Sequence, residues 1–228
     1  MIDRCFGVAQ YYHRLNYSVN NPQDKFVYTD LSTMFPGYKY DFGKSTYRGE
    51  EVGEGGLVRA KPGMYTNVAL LDVASMHPTS IKELNLFGPY TKNFWDLVEA
   101  RLAIKHGDLE KASKLLGGKL AKYLSDPGTI DSLSYALKII INIVYGLTSA
   151  KFDNPFRDLR NVDNIVAKRG ALFMIDLKAE VEARGFIAAH IKTDSIKIPD
   201  ATPEIISFVM EFGEKYGYTF EHEATYDK

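Results

Sequence analysis

The sequence has few of the residues that build disulfide scaffolds and zinc sites. Its 228 residues include one cysteine, Cys5, so no disulfide can form within the chain, and a zinc site built on cysteines is excluded. The five histidines show no metal-ligand spacing. A lone cysteine is typical of proteins from a reducing compartment, and we therefore expect a cytoplasmic location.

Long hydrophobic runs and a strong net charge are also missing. The longest apolar stretch, residues 136–147, is interrupted by Lys138 and Asn142 and falls short of the roughly 18 residues that a membrane-spanning helix needs. The first ten residues contain no apolar signal-peptide core. The 28 basic and 29 acidic residues nearly cancel, so composition alone carries no signature of a nucleic-acid-binding protein. We expect no membrane partner.

The residues that are present predict a folded protein with both strands and helices. Hydrophobic residues make up 45% of the chain, which excludes intrinsic disorder. Residues 1–66 are rich in Tyr, Gly, Asn and Pro and predict irregular structure. Residues 66–73 are apolar and predict a buried strand with Asp72 at its end.

Helical spacing of apolar residues predicts most of the remaining elements. The predicted helices span residues 91–106, 108–124, 129–149, 166–184 and 203–216. Two apolar runs, residues 186–191 and 195–198, predict a β-hairpin with Asp194 near its tip, and the chain ends in a strand-like segment. This order favours an α+β fold in which a helical insertion separates two parts of one sheet.

Asp72 and Asp194 are the first candidates for chemistry. An aspartate at a strand end or in a turn is most often a cap or turn former, so neither residue alone is informative. If the fold brings the two carboxylates together, they would suit Mg²⁺, which prefers oxygen ligands and leaves room for substrate phosphates. Two such ions, about 3.5–4 Å apart, would support an in-line phosphoryl displacement.

Two groups of polar residues at helical spacing are further candidates. Lys138, Asn142 and Tyr145 share one helix face, and the surrounding isoleucines favour a groove over an ordinary solvated face. Arg101 and Lys105 form a basic pair at i, i+4 that could converge on a polyphosphate, although salt-bridging surface charge is the commoner explanation of such a pair.

Three segments in fixed order resemble the motifs of the family B DNA polymerases. LLDVASMHPTSI at residues 70–81 resembles motif A, DxxSLYPSI; KIIINIVYG at residues 138–146 resembles motif B, KxxxNxxYG; and KTDS at residues 192–195 resembles the end of motif C, YxDTDS. The flanking segments GMYTNVALLD and FEHEATYDK are similar to phage members of the family. The resemblance extends from Phe26 to Lys228.

The resemblance implies a polymerase palm with an antiparallel sheet and a helical-hairpin fingers insertion. It implies an N-terminal segment over residues 1–66, palm over 67–90 and 151–228, and fingers over 91–150. The family carries a 3′–5′ exonuclease domain before this region and a thumb after it. The first 66 residues are too few for an exonuclease domain and contain no paired DxE carboxylates. We expect both the exonuclease domain and the thumb to be absent.

The resemblance also implies a role for each motif residue. Asp72 and Asp194 would be the catalytic carboxylates, with the Val73 carbonyl as a further metal ligand. The residues implied to bind the incoming nucleotide are Ser75, Met76, His77, Arg101, Lys105, Lys138 and Asn142. Tyr145 and Gly146 would line the pocket for the template and the nascent base pair. The neighbours of Asp194 in motif C are Lys192, Thr193 and Ser195.

The function implied is DNA-directed DNA polymerisation with two Mg²⁺ ions, which Mn²⁺ can replace. The implied partners are primer–template DNA, dNTP and an exonuclease- or thumb-bearing fragment, in the host cytoplasm if the protein is phage-encoded.

Three positions depart from the family pattern. Lys192 stands where the family commonly has the first aspartate of motif C, His77 stands where it usually has a tyrosine, and Tyr47-Arg48-Gly49 competes with the GEGG segment for the template-gripping YxG element.

Two alternatives stay open at this point. The first is a catalytically weak remnant that binds nucleic acid or a partner protein without turnover, which the lysine at position 192 and the expected lack of a thumb suggest. The second is an unrelated two-carboxylate nuclease or nucleotidyltransferase, which would leave the helix face of Lys138, Asn142 and Tyr145 unexplained.

Overall fold

A computed structural model describes residues 22–53 and 55–227, and these residues form two compact units. One unit comprises Leu84–Asn161 together with the described residues before Thr29. We call it the helical unit. The other comprises Thr29–Glu83 and the described part of Val162–Lys228, and we call it the sheet unit. The helical unit therefore interrupts the sheet unit in the sequence.

A small antiparallel sheet occupies part of the segment in which the sequence predicted irregular structure. Its strands pair in the order β1-β2-β3 and are β1 Lys39–Asp41, β2 Lys44–Tyr47 and β3 Glu50–Glu51. Both connections are two-residue turns, Phe42-Gly43 and Arg48-Gly49, whose residues all have positive φ. Turns of this type match the twist of paired strands, but Phe and Arg are not their usual first residues. The prediction of irregular structure is wrong here for that reason.

The main sheet has five antiparallel strands in the order β4-β6-β7-β5-β8. They are β4 Val58–Ala60, β5 Val68–Val73, β6 His190–Lys192, β7 Ser195–Pro199 and β8 Phe220–Tyr226. Burial alternates strictly along β5, so the side chains of Ala69, Leu71 and Val73 enter the core. The predicted strand, hairpin and final strand are confirmed.

The described residues form six α-helices. They are α1 Met76–Glu83, α2 Thr91–Lys105, α3 Leu109–Lys114, α4 Pro127–Thr148, α5 Ile165–Ala183 and α6 Pro203–Glu214. The helix predicted over residues 108–124 ends early because Leu116 and Gly117 adopt left-handed φ values of 53° and 66°. The helix predicted from residue 129 begins at Pro127, since the Asp126 carboxylate caps it by accepting from the Thr129 amide.

The core of the sheet unit is built around α5. Every residue from Ile165 to Leu177 is buried, including two cations, Lys168 and Arg169. The Phe173 ring contacts the Tyr218 ring at 4.7 Å and the Tyr216 ring at 5.2 Å between centroids. Full burial of such a side chain contributes about 1.5–3 kcal/mol. The α+β class with an antiparallel sheet is thus confirmed.

In the helical unit, α2 and α4 pack against each other. Small and aliphatic side chains meet there, among them Ala100, Ala103 and Leu137. Among the described residues, α4 is the one helix that is long and apolar enough to cross a bilayer by length and composition alone. That test is a weak indication, because core helices of soluble proteins also pass it.

Candidate functional site

Asp72 and Asp194 lie beside each other at one end of the main sheet. Asp72 is the penultimate residue of β5, and its Cα pairs in register with that of Ser195, the residue after Asp194. The Val73 amide donates to the Asp194 carbonyl oxygen at 2.8 Å. Both aspartates are half-buried. The fold therefore joins residues that are far apart in the sequence into one potential two-carboxylate site.

The turn that carries Asp194 is tight and strained. The Asp194 amide donates to the Lys192 carbonyl oxygen at 2.7 Å, which closes a three-residue γ-turn centred on Thr193. Thr193 has a φ of 56°, a value that β-branched residues rarely adopt. Strain of this kind persists only where the surroundings hold it, and it is concentrated at functional sites.

A second strained turn follows Asp72. Ser75 has a φ of 59° and connects β5 to α1. The Ala74 amide donates to the Thr219 carbonyl oxygen at 2.9 Å, which fixes the turn to the segment before β8. Because the first N–H groups of a helix have no partner within the helix, the start of α1 at Met76 presents amide donors suited to an anion.

His77 lies in the first turn of α1 and is half-buried. Burial lowers the pKa of His77 below its ordinary value of 6.5, while the nearby negative charge of Asp194 acts in the opposite direction. The imidazole is therefore biased towards its neutral form. It belongs to the same unit as the two aspartates, and its charge state responds to one of them.

One row of residues crosses the sheet through Asp72. Successive register partners from β4 to β8 are Val58, Lys192, Ser195, Asp72 and Glu221. Register partners share a face of the sheet. The cation of Lys192 thus lies on one side of Asp72 along the row, and a further carboxylate, that of Glu221, lies on the other side. Sequence reasoning named Lys192 but missed Glu221, because the strand register is not visible in the sequence.

A metal site in the sheet unit would depend on few protein ligands. No group of three or more His, Cys, Asp or Glu side chains with the geometry to hold a metal occurs within residues 22–53 and 55–227. The exposed Lys192 side chain at the position expected for a third carboxylate is consistent with this result. Two carboxylates and a backbone carbonyl would leave the remaining positions to water and substrate oxygens, as Mg²⁺ sites commonly do.

Six predicted site residues belong to the helical unit instead. Lys138, Asn142 and Gly146 are exposed along one face of α4, and Tyr145 is half-buried beside them. That face also carries exposed apolar side chains, with Tyr135 at 66%, Ile139 at 39% and Ile143 at 54% of full exposure.

Arg101 and Lys105 lie on α2. Lys105 is exposed, whereas Arg101 is half-buried and its Nε has no hydrogen-bond partner among the described residues. A buried donor without a partner is costly, and an anionic ligand would satisfy it.

The segment Tyr47-Arg48-Gly49 has a different environment from the one expected for a template grip. The Tyr47 side chain is buried, and its hydroxyl donates to the two carboxylate oxygens of Asp176 at 2.9 and 3.0 Å. Arg48 Nε pairs with the same carboxylate at 2.8 Å. Burial raises the pKa of Asp176, and the contacts with Tyr47 and Arg48 oppose that rise. The competing GEGG segment includes Glu54, which lies outside the described residues.

Comparisons with known proteins inform on the fold alone. No protein-family model matches the sequence, and no curated protein matches it. Among solved structures, the chain is similar to the family B DNA polymerase from the hyperthermophilic archaeon Pyrobaculum calidifontis, with a TM-score of 0.50 and 18% sequence identity. The similarity covers 75% of this chain and 25% of the archaeal chain, so this chain spans about a quarter of that polymerase. The chain therefore has the fold of part of a family B DNA polymerase.

Proposed function

We propose that this chain is the palm and fingers portion of a phage-type family B DNA-directed DNA polymerase. In this proposal, residues 67–90 and 151–228 form the palm, which lies mainly in the sheet unit, and residues 91–150 form the fingers, which lie in the helical unit. The reaction is template-directed transfer of a nucleotide from dNTP to a primer 3′-hydroxyl. The observation that carries the proposal is the register of β5 and β7, which places Asp72 beside Asp194.

The donor set suits the proposed metal ions. Asp72 and Asp194 offer hard carboxylate oxygens, and the carbonyl of Val73, the residue after Asp72, offers a backbone oxygen. Two Mg²⁺ ions held there would neutralise charge on the attacking and leaving oxygens of an in-line displacement, and Mn²⁺ can replace them. Asp72 and Asp194 bind the ions in this proposal and so fix the point at which the primer end meets the nucleotide.

The remaining residues bind and orient the nucleotide. The amides of Ser75, just before α1, and of Met76, its first residue, donate to the phosphate oxygens of the nucleotide in the way that helix N-termini do. His77 packs under the sugar. Arg101 offers its unsatisfied buried Nε, and together with Lys105 it clamps the triphosphate.

Further proposed nucleotide contacts belong to the exposed face of α4. Lys138 and Asn142 contact the incoming nucleotide from this face. Tyr145 and Gly146 line the pocket of the nascent base pair, where the absence of a side chain at Gly146 admits a close base. A Cβ atom at Gly146 would meet no atom within 4 Å, so space is available there.

The proposed setting is the cytoplasm of a host cell. The proposed partners are primer–template DNA, dNTP and a polymerase fragment that carries the exonuclease or the thumb. A thumb-bearing partner would add phosphate contacts to the duplex, and affinity for DNA rises steeply with the number of such contacts.

The test is primer extension with three variants, each assayed alone and with a thumb-bearing fragment. Asp72→Asn and Asp194→Asn remove a charge from the metal site, and we expect each to lower the rate about 100- to 1,000-fold. Asp200→Asn is the matched control, because Asp200 is exposed and has a φ of 49°, which asparagine also tolerates. Full activity of Asp194→Asn would refute the proposal.

One observation favours a second function. Lys192 brings a cation to the edge of the carboxylate site, and a nearby cation weakens the binding of metal ions. A polymerase-like remnant that binds nucleic acid without turnover would tolerate this residue. The two functions differ in whether dNTP binding requires a divalent metal.

A further inference from the structure

We propose that Lys168 and Gly56 are positioning residues for Asp194. They act through a short segment, residues 52–53 and 55–57, which we call the glycine loop. This inference rests on the proposed function, in which the position of Asp194 matters because its carboxylate binds a metal ion. The structural link itself runs from α5 to the Asp194 turn and is tested below without any catalytic readout.

The first link is the burial of Lys168 against the start of the glycine loop. Lys168 is 3% exposed, and its Nζ donates to the carbonyl oxygens of Val52 and Gly53 at 2.6 and 2.7 Å. Hydrogen bonds from an ionised donor are stronger than neutral ones. Burying an ammonium group costs free energy unless hydrogen bonds compensate the charge. Moving the two loop carbonyls away would leave the charge uncompensated, so these carbonyls are held in place.

The second link joins the other end of the glycine loop to the turn. Leu57 is buried, and its carbonyl oxygen accepts from the Thr193 amide at 2.8 Å. Gly56 has a φ of 109°, and a Cβ atom there would lie 3.0 Å from Thr193 Cγ2 and 3.2 Å from Thr193 Oγ1. Glycine is therefore required at position 56 both for its backbone conformation and for the space that Thr193 occupies.

The third link is the strain at Thr193. A threonine with a φ of 56° relaxes unless neighbouring contacts oppose it. The Leu57 carbonyl, and the narrow space that Gly56 leaves beside the Thr193 side chain, provide that opposition on one side. The Asp194 carbonyl, which accepts from Val73, fixes the other side to β5. A shift of the glycine loop would therefore release the γ-turn and move the Asp194 carboxylate.

The choice of a lysine at this buried position favours positioning over simple packing. The neighbouring positions of α5 from Ile165 to Leu177 are mainly apolar, and an apolar residue would fill the core without the cost of a buried charge. Lysine instead supplies directed bonds to two specific carbonyls. Hydrogen bonds depend on direction, so they select one conformation of the loop more strictly than apolar packing does.

The experiment measures amide hydrogen exchange in the full chain, in metal-free buffer, and then Mn²⁺ affinity by electron paramagnetic resonance. Lys168→Met removes the donors at similar volume, and Lys168→Arg keeps a cation with donors. Gly56→Ala disturbs the other end of the loop. Lys178→Met is the matched control, because Lys178 lies on the same helix, is half-buried and pairs through its ammonium group with the carboxylates of Glu50 and Glu182.

We expect Lys168→Met and Gly56→Ala to raise the exchange rates of the Thr193 and Asp194 amides at least tenfold and to weaken Mn²⁺ binding at least threefold. Exchange at residues 68–71 of β5 should not change, whereas the Val73 amide, which donates to the Asp194 carbonyl oxygen, should follow the turn. Lys168→Arg should restore most of both properties, and Lys178→Met should match the wild type. A merely structural role would instead raise exchange throughout the sheet.

Unchanged exchange at Thr193 and Asp194 in folded Lys168→Met protein would overturn the proposal. If that variant does not fold, Gly56→Ala decides the question by the same criterion. The exchange measurement needs neither DNA nor dNTP. A chain without polymerase activity would therefore disprove the proposed function, whereas the exchange rates of Thr193 and Asp194 alone would decide this inference.

Discussion

At the scale of single residues, the candidate site is marked by backbone strain. Ser75 and Thr193 both have positive φ, and each lies within three residues of a candidate catalytic aspartate. Neither residue type favours this conformation, in contrast to glycine or asparagine. Sequence motifs identified Asp72 and Asp194 but gave no sign of the strain. The strain depends on contacts from Leu57 and Thr219, which only the fold supplies.

His77 should make the stability of the protein depend on pH. Its folded-state pKa lies below 6.5, so the unfolded chain takes up a proton before the folded chain does as the pH falls. Its contribution is therefore present above pH 6.5 and is lost as the pH falls from 6.5 towards the lowered folded value. The loss can reach about 1.4 kcal/mol per pH unit in that window.

Urea unfolding in EDTA between pH 7.5 and 5.5 measures this effect. We expect His77→Phe to lose less stability than the wild type as the pH falls. His106→Gln, which changes an exposed histidine in the helical unit, is the control for losing a histidine at another position. Equal slopes for the wild type and His77→Phe would show that the imidazole titrates alike in the folded and unfolded chains.

At the scale of elements, the sequence predicted helices and strands well where apolar periodicity was strong. The positions of α2, α5, α6 and β5 match their predicted ranges within a few residues. Periodicity reports burial, and burial is what holds these elements in place. The small sheet of β1 to β3 was missed, because β1 is exposed throughout, β2 buries only Ser45 and Tyr47, and its turns begin with Phe42 and Arg48.

Contacts between elements were beyond the reach of the sequence. The pairing of Asp72 with Glu221 follows from the register of β5 and β8, which shifts at an irregularity between Leu70 and Leu71. A shift of one residue exchanges the two faces of a strand, and no local pattern encodes where it occurs. The roles of Lys168 and Gly56 depend on loop geometry and were missed for the same reason.

Close packing between α5 and α1 should make Gly170 intolerant of a side chain. A Cβ atom at Gly170 would lie 2.7 Å from the Sδ atom of Met76, which is 2% exposed. Alanine favours helix formation over glycine by about 1 kcal/mol, but overpacking in a core costs about 1–3 kcal/mol. We expect Gly170→Ala to destabilise the protein by about 1 kcal/mol.

Gly146→Ala is the control for the helix-propensity term. Gly146 is also helical, but a Cβ atom there meets no atom within 4 Å, so this variant should be as stable as the wild type or more so. The free energy of unfolding from urea titrations measures both changes. An equal gain of stability in the two variants would mean that the Met76 side chain moves aside without cost.

At the scale of the whole molecule, the sheet unit is assembled from two separated stretches of chain. Residues 29–83 supply β5 and α1, and residues 162–227 supply α5 and the hairpin of β6 and β7. The candidate carboxylates come from different stretches, so the site forms only when the whole unit folds. The fold similarity to the archaeal polymerase covers 75% of this chain.

Ligand-induced stabilisation of the intact protein should separate a polymerase from a remnant. If Asp72 and Asp194 hold metal ions that bind the triphosphate, dNTP should raise the melting temperature only when Mg²⁺ or Mn²⁺ is present. A ligand at 100 times its dissociation constant stabilises the folded state by about 2.7 kcal/mol. For a protein of this size, that corresponds to a rise of about 5–10 °C. Thermal denaturation with metal alone, dNTP alone and both together measures the effect.

Asp194→Asn should abolish the joint effect of metal and dNTP, whereas Asp200→Asn should preserve it. A shift with dNTP alone, equal in size and insensitive to Asp194→Asn, would mean that the nucleotide binds away from the carboxylates, and the remnant would then be the better description.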